Sequence, residues 1–239
     1  MRSRRPEAHA LANLPVLTVS GLAKEIRLAA GPGVEAVGAG GDPERLTRLL
    51  DARTVPACRA VVSFGIAGGL DPALRPGDVV VATGIVSLAG RFGCDPVLAA
   101  ALARPLAGSG TRLVQADLAG ADAAVLSVAE KADLHRASAA AAVDMESHVA
   151  AAFARRHGLP FAALRVVCDP AERALPAFAA AALTPEGDPD IRAVLGALLR
   201  GKARVGDLIR LGRDSSAAFA ALARCRRALG PGLGLPSGA

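Results

Sequence analysis

Four acidic side chains stand close to the ends of apolar segments, where a carboxylate can carry acid–base chemistry. Asp169 directly follows a long apolar run, and Asp144 and Glu146 follow a shorter one. Glu25 comes shortly after the first apolar run. A carboxyl group at the end of a buried strand is partly desolvated, which raises its pKa and lets it donate a proton near neutral pH. Each position also has a structural interpretation: an Asx turn for Asp169, a helix N-terminus that favours acids for the pair, and a solvated charge for Glu25.

The segment 65–70 follows the apolar run 60–64 and contains three glycines among its six residues. Glycines let the backbone approach a ligand closely and expose its N–H groups. A plain tight turn after a strand has the same composition. The segment is not a Walker A loop, because no Gly-Lys-Ser/Thr follows it, and its glycine spacing differs from GxGxxG. By itself it therefore predicts either a ligand contact or a turn.

The sequence gives little support for a metal site or for a serine or cysteine nucleophile. The four histidines show no HExxH or other metal-binding spacing, and no GxSxG segment is present. The four cysteines lie far apart without a Cys-x-x-Cys pair, which indicates free thiols in a reducing compartment. Cys168 has no evident histidine partner that would make it a thiolate nucleophile. We therefore expect no metal and no cofactor.

Apolar strands and helices alternate along the chain, which is typical of a parallel sheet covered by helices. The pattern predicts strands at 14–19, 60–64, 79–88, 113–116, 142–145 and 161–168. It predicts helices at 42–52, 95–106, 128–142, 146–157, 189–200 and 214–228. We expect one α/β domain over residues 13–229, with a twisted, mostly parallel central sheet flanked by helices on both faces, and flexible tails at 1–12 and 230–239. In such sheets ligands bind beyond the carboxyl ends of the strands, which is where the acids stand.

The composition argues against several classes of partner. Aromatic residues make up 3% of the chain, with no Trp and no Tyr, so a stacking platform for single-stranded nucleic acid is not expected. The net charge is +6, but no long basic helix points to DNA or RNA. Arginines cluster at 2–5 and 224–227, which reflects either genome composition or attraction to an anionic membrane. No apolar run is long enough to span a membrane, so we expect a cytoplasmic protein.

Three segments, in the same order, resemble methylthioadenosine/S-adenosylhomocysteine nucleosidases and their relatives in the purine nucleoside phosphorylase superfamily. They are the strand with Gly-Ile-Ala-Gly-Gly-Leu and Pro-Gly-Asp-Val-Val at 61–80, Ala-Val-Asp-Met-Glu-Ser at 142–147, and the strand and final aspartate at 161–169. With the N-terminal strand they cover about residues 14–200. Two further segments, 20–27 and 211–215, resemble the hopanoid-associated phosphorylases, an adenosylhopane nucleosidase-like branch. The resemblance implies a phosphorylase/hydrolase-like α/β fold.

The resemblance also implies an enzyme that cleaves the N-glycosidic bond of a 5′-substituted adenosine, converting adenosylhopane to ribosylhopane and adenine in hopanoid biosynthesis. It implies that Asp169 is the general acid at N7 of the purine and that Glu25 orients the attacking water. Glu146 would hold the ribose hydroxyls, and Met145 would pack under the sugar. Further substrate contacts implied by the resemblance are the backbone of Gly65, Ala67 and Gly68 beside the ribose, Cys168 near the base, and Phe178 stacked on the base.

The chain departs from the phosphorylases of this family at two positions. Ser63 and Ile66 stand where those enzymes carry an arginine and a serine or threonine, which favours water over phosphate as the nucleophile, although Arg27 could replace the missing charge. Phosphorolysis of the same bond, hydrolysis of a soluble nucleoside such as methylthioadenosine, and non-catalytic nucleoside binding remain alternatives. The resemblance further implies a homo-oligomer, a dimer or larger. A lipid-linked substrate would bring the protein to the inner face of the cytoplasmic membrane, in peripheral contact with anionic lipid.

Overall fold

An eight-stranded sheet forms the centre of the protein, of which the computed structural model describes residues 14–53, 58–108, 110–175 and 205–236. The strands are β1 (Val16–Ser20), β2 (Val34–Gly38), β3 (Ala60–Gly69), β4 (Val79–Ser87), β5 (Gly90–Gly93), β6 (Leu113–Gly120), β7 (Ala142–Asp144) and β8 (Phe161–Asp169). The α-helices of the described residues are α1 (Ala23–Ala29), α2 (Pro43–Asp51), α3 (Pro96–Ala103), α4 (Val128–Ser138), α5 (Ser147–Arg156) and α6 (Val205–Leu229). None of the helices in these ranges is both long enough and apolar enough to cross a membrane.

The strands lie in the order β2-β1-β3-β7-β6-β4-β5, and β8 pairs with both β3 and β4. This double pairing closes β3, β7, β6, β4 and β8 into a ring. The pairs β1–β2, β1–β3, β3–β8, β4–β6 and β6–β7 are parallel, whereas β3–β7, β4–β5 and β4–β8 are antiparallel. The predicted α/β fold with a mostly parallel sheet is therefore confirmed, with antiparallel pairs at β4 and β7.

Helices cover the sheet on both faces, as the sequence predicts. Successive side chains of β8 belong to different apolar clusters: Leu164 lies in a cluster with Leu222 of α6, and Ala163 lies in a cluster with Phe153 of α5. Every residue of β8 is buried, which is the burial expected of a strand covered on both sides. A charged side chain in this strand must find its partners inside the protein, because an unpaired buried charge is very costly.

The glycine-rich segment 65–70 is not the turn that its composition allowed. β3 continues through it to Gly69 and stays paired with β8 as far as Gly68, which lies opposite Asp169. The predicted strand 60–64 is thus only the first half of β3. Pairing with a long neighbouring strand outweighs the low strand propensity of glycine, and glycines in strands often mark the close approach of another group.

Other differences concern segments with a weak or mixed apolar pattern. The elements α1, β2 and β5 are short, and the sequence pattern did not reveal them. The strand predicted at 113–116 extends to Gly120, and the helix predicted at 214–228 begins earlier, at Val205. The helix predicted at 189–200 lies outside the described residues.

The C-terminal segment 230–236 is packed, where a flexible tail was expected. Leu233 and Leu235 are buried, and Arg59 donates a hydrogen bond to the carbonyl oxygen of Leu235 (3.3 Å). The glycines and proline that suggested disorder instead form a short 3-10 turn after α6. The other predicted tail, 1–12, lies outside the described residues.

Candidate active site

Glu25 is a buried carboxylate that links the end of β1 to the middle of β3. Its Oε2 accepts hydrogen bonds from the backbone N–H groups of Gly21 (2.8 Å) and Leu22 (2.7 Å), and its Oε1 accepts one from Ile66 (2.6 Å). Only 1% of the residue is exposed. Burial raises the pKa of Glu25, against the opposing effects of Arg165 and of these three hydrogen bonds. The surface interpretation of Glu25 is therefore wrong, and its position is fixed by the backbone around it.

Arg165 lies at the centre of this acidic cluster and is fully buried in β8. Its Nε lies 3.1 Å from Oδ2 of Asp144, and its Nη2 lies 3.2 Å from Oε2 of Glu146. The same guanidinium donates to Oγ of Ser63 (2.6 Å) and to the carbonyl oxygen of Ile66 (3.2 Å). Sequence reasoning gave Arg165 no role, although one charge inside an otherwise apolar strand is a signal of a buried partner.

Glu146 faces Arg165 from the start of α5, and its acidity is strongly altered. Burial raises the pKa of Glu146 to about 8; Arg165 opposes the rise, and the negative charges of Asp144 and Glu25 add to it. A carboxyl group in this state can both donate and accept hydrogen bonds near neutral pH. Such a group suits a ligand that carries hydroxyls.

Asp144 organises the beginning of α5. Its Oδ1 accepts hydrogen bonds from the backbone N–H groups of Glu146 (2.9 Å) and Ser147 (2.6 Å), and its Oδ2 accepts one from Oγ of Ser147 (2.6 Å). These are the bonds expected of an acid at a helix N-terminus. The structural interpretation therefore holds for Asp144, whereas Glu146 is turned towards Arg165.

Two glycines of the cluster leave room for its carboxylates. A Cβ atom on Gly65 would lie 2.5 Å from Oε1 of Glu25 and 2.6 Å from Nη1 of Arg165. A Cβ atom on Gly21 would lie 2.6 Å from Oε1 of Glu146. The backbone at Gly65 thus approaches these charged side chains directly.

Asp169 forms a second buried centre at the end of β8. Lys131 of α4 is fully buried, and its Nζ donates to Oδ2 of Asp169 and to the carbonyl oxygens of Pro170 (2.9 Å) and Arg173 (2.9 Å). Burial raises the pKa of Asp169, and the positive charge of Lys131 opposes the rise. Sequence reasoning missed Lys131, whose only signal was a lone lysine in an alanine-rich helix.

The two centres lie beside one stretch of β3. Gly65 is paired with Arg165, and Gly68 is paired with Asp169. Three residues of extended strand span about 10 Å. The positions of β3 beside the acidic cluster and beside Asp169 are therefore about 10 Å apart.

The other predicted site residues fall around these two centres. Ala67 and Cys168 are buried, and Met145 is half-buried between the two acids of its segment. Burial raises the pKa of the Cys168 thiol to about 12, so this cysteine is not a thiolate nucleophile. Phe178 lies outside the described residues. In the part of the chain that the structure describes, no group of three or more His, Cys, Asp or Glu side chains is arranged to hold a metal ion.

Arg165→Met is expected to lower the free energy of unfolding by about 3–5 kcal/mol, because it leaves buried carboxylates without their cation. Equilibrium unfolding in urea measures the change. Arg48→Met is the matched control, since the Arg48 side chain is 69% exposed beside Glu44 and should lose less than about 1 kcal/mol. Equal losses for the two variants would contradict the central position of Arg165.

Comparison with known proteins identifies the family of this chain. A sequence model described as Phosphorylase superfamily matches residues 44–200. No curated protein sequence matches the chain.

Several solved structures have a similar fold. A mutant of the Helicobacter pylori nucleosidase MTAN, with 5′-methylthioadenosine in its active site, is 16% identical, with a TM-score of 0.62 over 89% of this chain and 97% of that chain. Native Helicobacter pylori futalosine hydrolase is 16% identical, with a TM-score of 0.62 over 90% and 97% of the two chains. The 5′-methylthioadenosine/S-adenosylhomocysteine nucleosidase of Neisseria meningitidis, in complex with methylthio-immucillin-A, is 19% identical, with a TM-score of 0.62 over 88% and 96%.

Proposed function

The chain belongs to the phosphorylase superfamily, and we propose that it hydrolyses the N-glycosidic bond between adenine and the ribose of a 5′-substituted adenosine. The observation that carries the proposal is the presence of two buried acidic centres beside one strand, β3: Asp169 at Gly68 and the Glu25–Glu146 cluster at Gly65. Cleavage of such a bond needs a proton donor at the leaving base and negative charge near an oxocarbenium-like sugar. The nucleosidase and hydrolase names of the structural neighbours support the same class of reaction.

Asp169 is the proposed proton donor to the base. Bond cleavage leaves an electron pair on adenine, and a proton delivered to N7 makes the base a better leaving group. Because burial raises the pKa of Asp169, the protonated fraction of this carboxyl group near neutral pH is larger than that of an exposed aspartate. General acid assistance of this kind contributes about 10²–10⁴-fold to a rate.

The acidic cluster is the proposed site of the ribose and of the nucleophile. Glu146 would bind the ribose hydroxyls, because a carboxyl group with a pKa of about 8 both donates and accepts hydrogen bonds there. Met145, the residue before it, would pack under the sugar. Glu25 would hold the attacking water: a carboxylate offers about four acceptor positions. Backbone N–H groups take three of them.

The electrostatics of the cluster favour water over phosphate as the nucleophile. The Ile66 N–H, a potential anion donor, already binds Glu25, and the Ser63 hydroxyl is bound by Arg165 and Ser147. Arg165 itself is shared between buried carboxylates. Arg27 is exposed. It comes two residues after Glu25 on α1, so its side chain lies about 200° around the helix axis from that of Glu25. Among the described residues, a phosphate dianion at this cluster would therefore meet carboxylates and an arginine that they already share.

The 5′ substituent is proposed to be a hopane, so that adenosylhopane yields ribosylhopane and adenine. This finer proposal is supported by the resemblance of 20–27 and 211–215 to the hopanoid-associated phosphorylases. The first segment contains Glu25. The second lies against the Asp169 centre, because Asp214 of α6 forms an ion pair with Arg173.

A hopane-linked substrate resides in a membrane, so the enzyme is proposed to act at the inner face of the cytoplasmic membrane. Arg226 is held against the protein, because it donates to the carbonyl oxygens of Ala29 and Gly230. Arg224 and Arg227 are exposed and could meet anionic lipid, at about 1 kcal/mol each. Leu88, at the tip of the β4–β5 hairpin, is 99% exposed and offers an apolar contact. The proposal of a homo-oligomer rests on the family resemblance alone.

Two other functions remain distinguishable by experiment. Hydrolysis of a soluble nucleoside such as methylthioadenosine would use the same two centres, and a neighbouring structure holds that compound. A non-catalytic nucleoside-binding protein would bind without releasing adenine. A pure binding protein has no need for a buried proton donor such as Asp169 opposite a fixed carboxylate such as Glu25.

We expect adenine release from adenosylhopane in anionic vesicles at a rate that added phosphate does not raise. The assay supplies adenosylhopane in anionic or neutral vesicles, or methylthioadenosine in solution, with and without phosphate. Mass analysis of the sugar product identifies the nucleophile, and slower turnover in neutral vesicles is expected.

Each alternative gives a different result in this assay. A phosphate-dependent, 1-phosphorylated sugar would establish phosphorolysis. Cleavage of methylthioadenosine with adenosylhopane left intact would remove the hopane assignment and keep the nucleosidase chemistry. Saturable binding of both nucleosides without adenine release would favour the non-catalytic binder.

A further inference from the structure

Lys131 is a buried cation whose N–H groups are all engaged. Its Nζ contacts three acceptors: Oδ2 of Asp169, the carbonyl oxygen of Pro170 and the carbonyl oxygen of Arg173. An ammonium group has three N–H donors, so these contacts use all of them. The three acceptors therefore match the three donors of the Lys131 side chain, and the loss of any one donor would leave a buried oxygen unsatisfied.

Resting on the proposed function, we propose that Lys131 is a positioning residue that sets the proton affinity of Asp169 and fixes which carboxyl oxygen faces the purine. Lys131 does not contact the substrate in this proposal. It acts on the reaction only through Asp169.

The charge of Lys131 counteracts the burial of Asp169. A buried carboxyl group without a cation holds its proton so tightly that it is a weak acid, whereas an opposite charge in contact lowers its pKa by about 1–3 units. A general acid is most effective when its pKa lies near the working pH. Burial thus keeps Asp169 protonated often enough to act, and Lys131 keeps it acidic enough to release the proton.

Among the described residues, the other charged and titratable groups near Asp169 affect its pKa less than Lys131 does. Arg173, in the loop after β8, also lowers the pKa of Asp169, but its guanidinium is paired with Asp214 of α6. Cys168, next to Asp169 in β8, carries a thiol with a pKa of about 12 and is neutral. On β3 the facing residue is Gly68, which has no side chain. The Glu25–Glu146 cluster lies three residues back along that strand, about 10 Å away.

The same contacts orient the carboxyl group. Lys131 occupies Oδ2 of Asp169, so Oδ1 is the oxygen left for a ligand. A Cβ atom on Gly68 would lie 3.3 Å from Oδ2 and 3.6 Å from Oδ1, so glycine keeps the space beside the carboxyl group open. By binding the carbonyl oxygens of Pro170 and Arg173 as well, Lys131 ties the loop after β8 to the position of Asp169.

The pH dependence of turnover tests the proposal. With Asp169 as the proton donor, kcat/KM falls on the alkaline side as Asp169 loses its proton. Lys131→Met removes the cation and raises the pKa of Asp169, so the alkaline limb should move up by about 1–3 pH units. Lys131→Arg keeps the charge and should restore the wild-type limb. An unshifted limb in an active Lys131→Met protein would overturn the proposal, because a purely structural lysine lowers activity without moving the limb.

Lysine NMR provides a readout that requires neither enzymatic turnover nor a folded Lys131→Met protein. The chain has only three lysines, Lys24, Lys131 and Lys202, so selective labelling gives three side-chain signals. The signal missing from Lys131→Arg is that of Lys131. In the wild-type protein this signal should inflect as Asp169 titrates, and in Asp169→Asn the inflection should disappear. A Lys131 signal that is flat with pH would overturn the proposal. If the wild-type protein released no adenine while the inflection was present, the proposed function would fail and the coupling of the pair would stand.

Discussion

Asp169→Asn is expected to slow adenine release by at least about 100-fold at neutral pH, because an amide cannot transfer the proton that a carboxyl group supplies. The expected loss lies mainly in kcat, since Asn keeps the size and much of the hydrogen bonding of Asp. The measurement is the initial rate of adenine release, with substrate affinity determined separately. Near-wild-type turnover would make Asp169 a turn residue and the proposed mechanism wrong.

The buried Lys131 complicates this variant, and a second variant separates the two effects. Asn leaves Lys131 without its counter-charge, and loss of one partner of a buried ion pair costs about 3–5 kcal/mol. The double variant Asp169→Asn, Lys131→Met removes both charges and should recover part of that stability in urea unfolding. Its turnover should stay as low as that of Asp169→Asn. Recovery of activity together with stability would show that Asp169→Asn acts through unfolding.

The acids were predictable from the sequence because each stands beside an apolar run. Such a position brings a carboxyl group to the carboxyl end of a strand, and Asp169 and Glu146 lie there as expected. The partners of these acids were not predictable. The charge of Arg165 acts on Glu25 across 140 positions of chain, and Lys131 reaches Asp169 from a helix whose sequence shows no catalytic pattern. Contacts of this kind depend on strand order, which the local pattern does not contain.

The glycine-rich segment shows the same limit in the backbone. Composition alone left a turn and a ligand-binding segment as alternatives, because glycine has low strand propensity. The structure places it in β3, where Gly65 lies against Glu25 and Arg165. Pairing with β8 stabilises the strand here, and a glycine is needed at Gly65 because a Cβ atom would lie too close to Glu25 and Arg165. Both causes follow from tertiary structure. Gly65 therefore belongs to a strand beside the charged cluster and not to a loop.

Glu25→Gln is expected to lower kcat by about 10²–10⁴-fold with a much smaller change in KM. Its carboxylate accepts hydrogen bonds from three backbone N–H groups, and the acceptor position that remains is the one proposed for the attacking water. An amide oxygen has only two acceptor positions, so Gln cannot satisfy the three donors and also hold the water. Rates over a range of substrate concentrations separate kcat from KM.

The pH profile and a stability control distinguish this role from a structural one. Glu25 must be ionised to activate water, and burial raises its pKa above the usual range, so wild-type activity should fall as the pH drops through that raised pKa. Glu25→Gln should lose this acid limb. One unsatisfied N–H costs about 1–3 kcal/mol of stability, whereas Glu44→Gln, on a side chain that is 90% exposed, should change neither stability nor rate. If Glu25→Gln raised KM and left kcat and the acid limb intact, Glu25 would bind the sugar, and the activation of water would have to be assigned to Glu146.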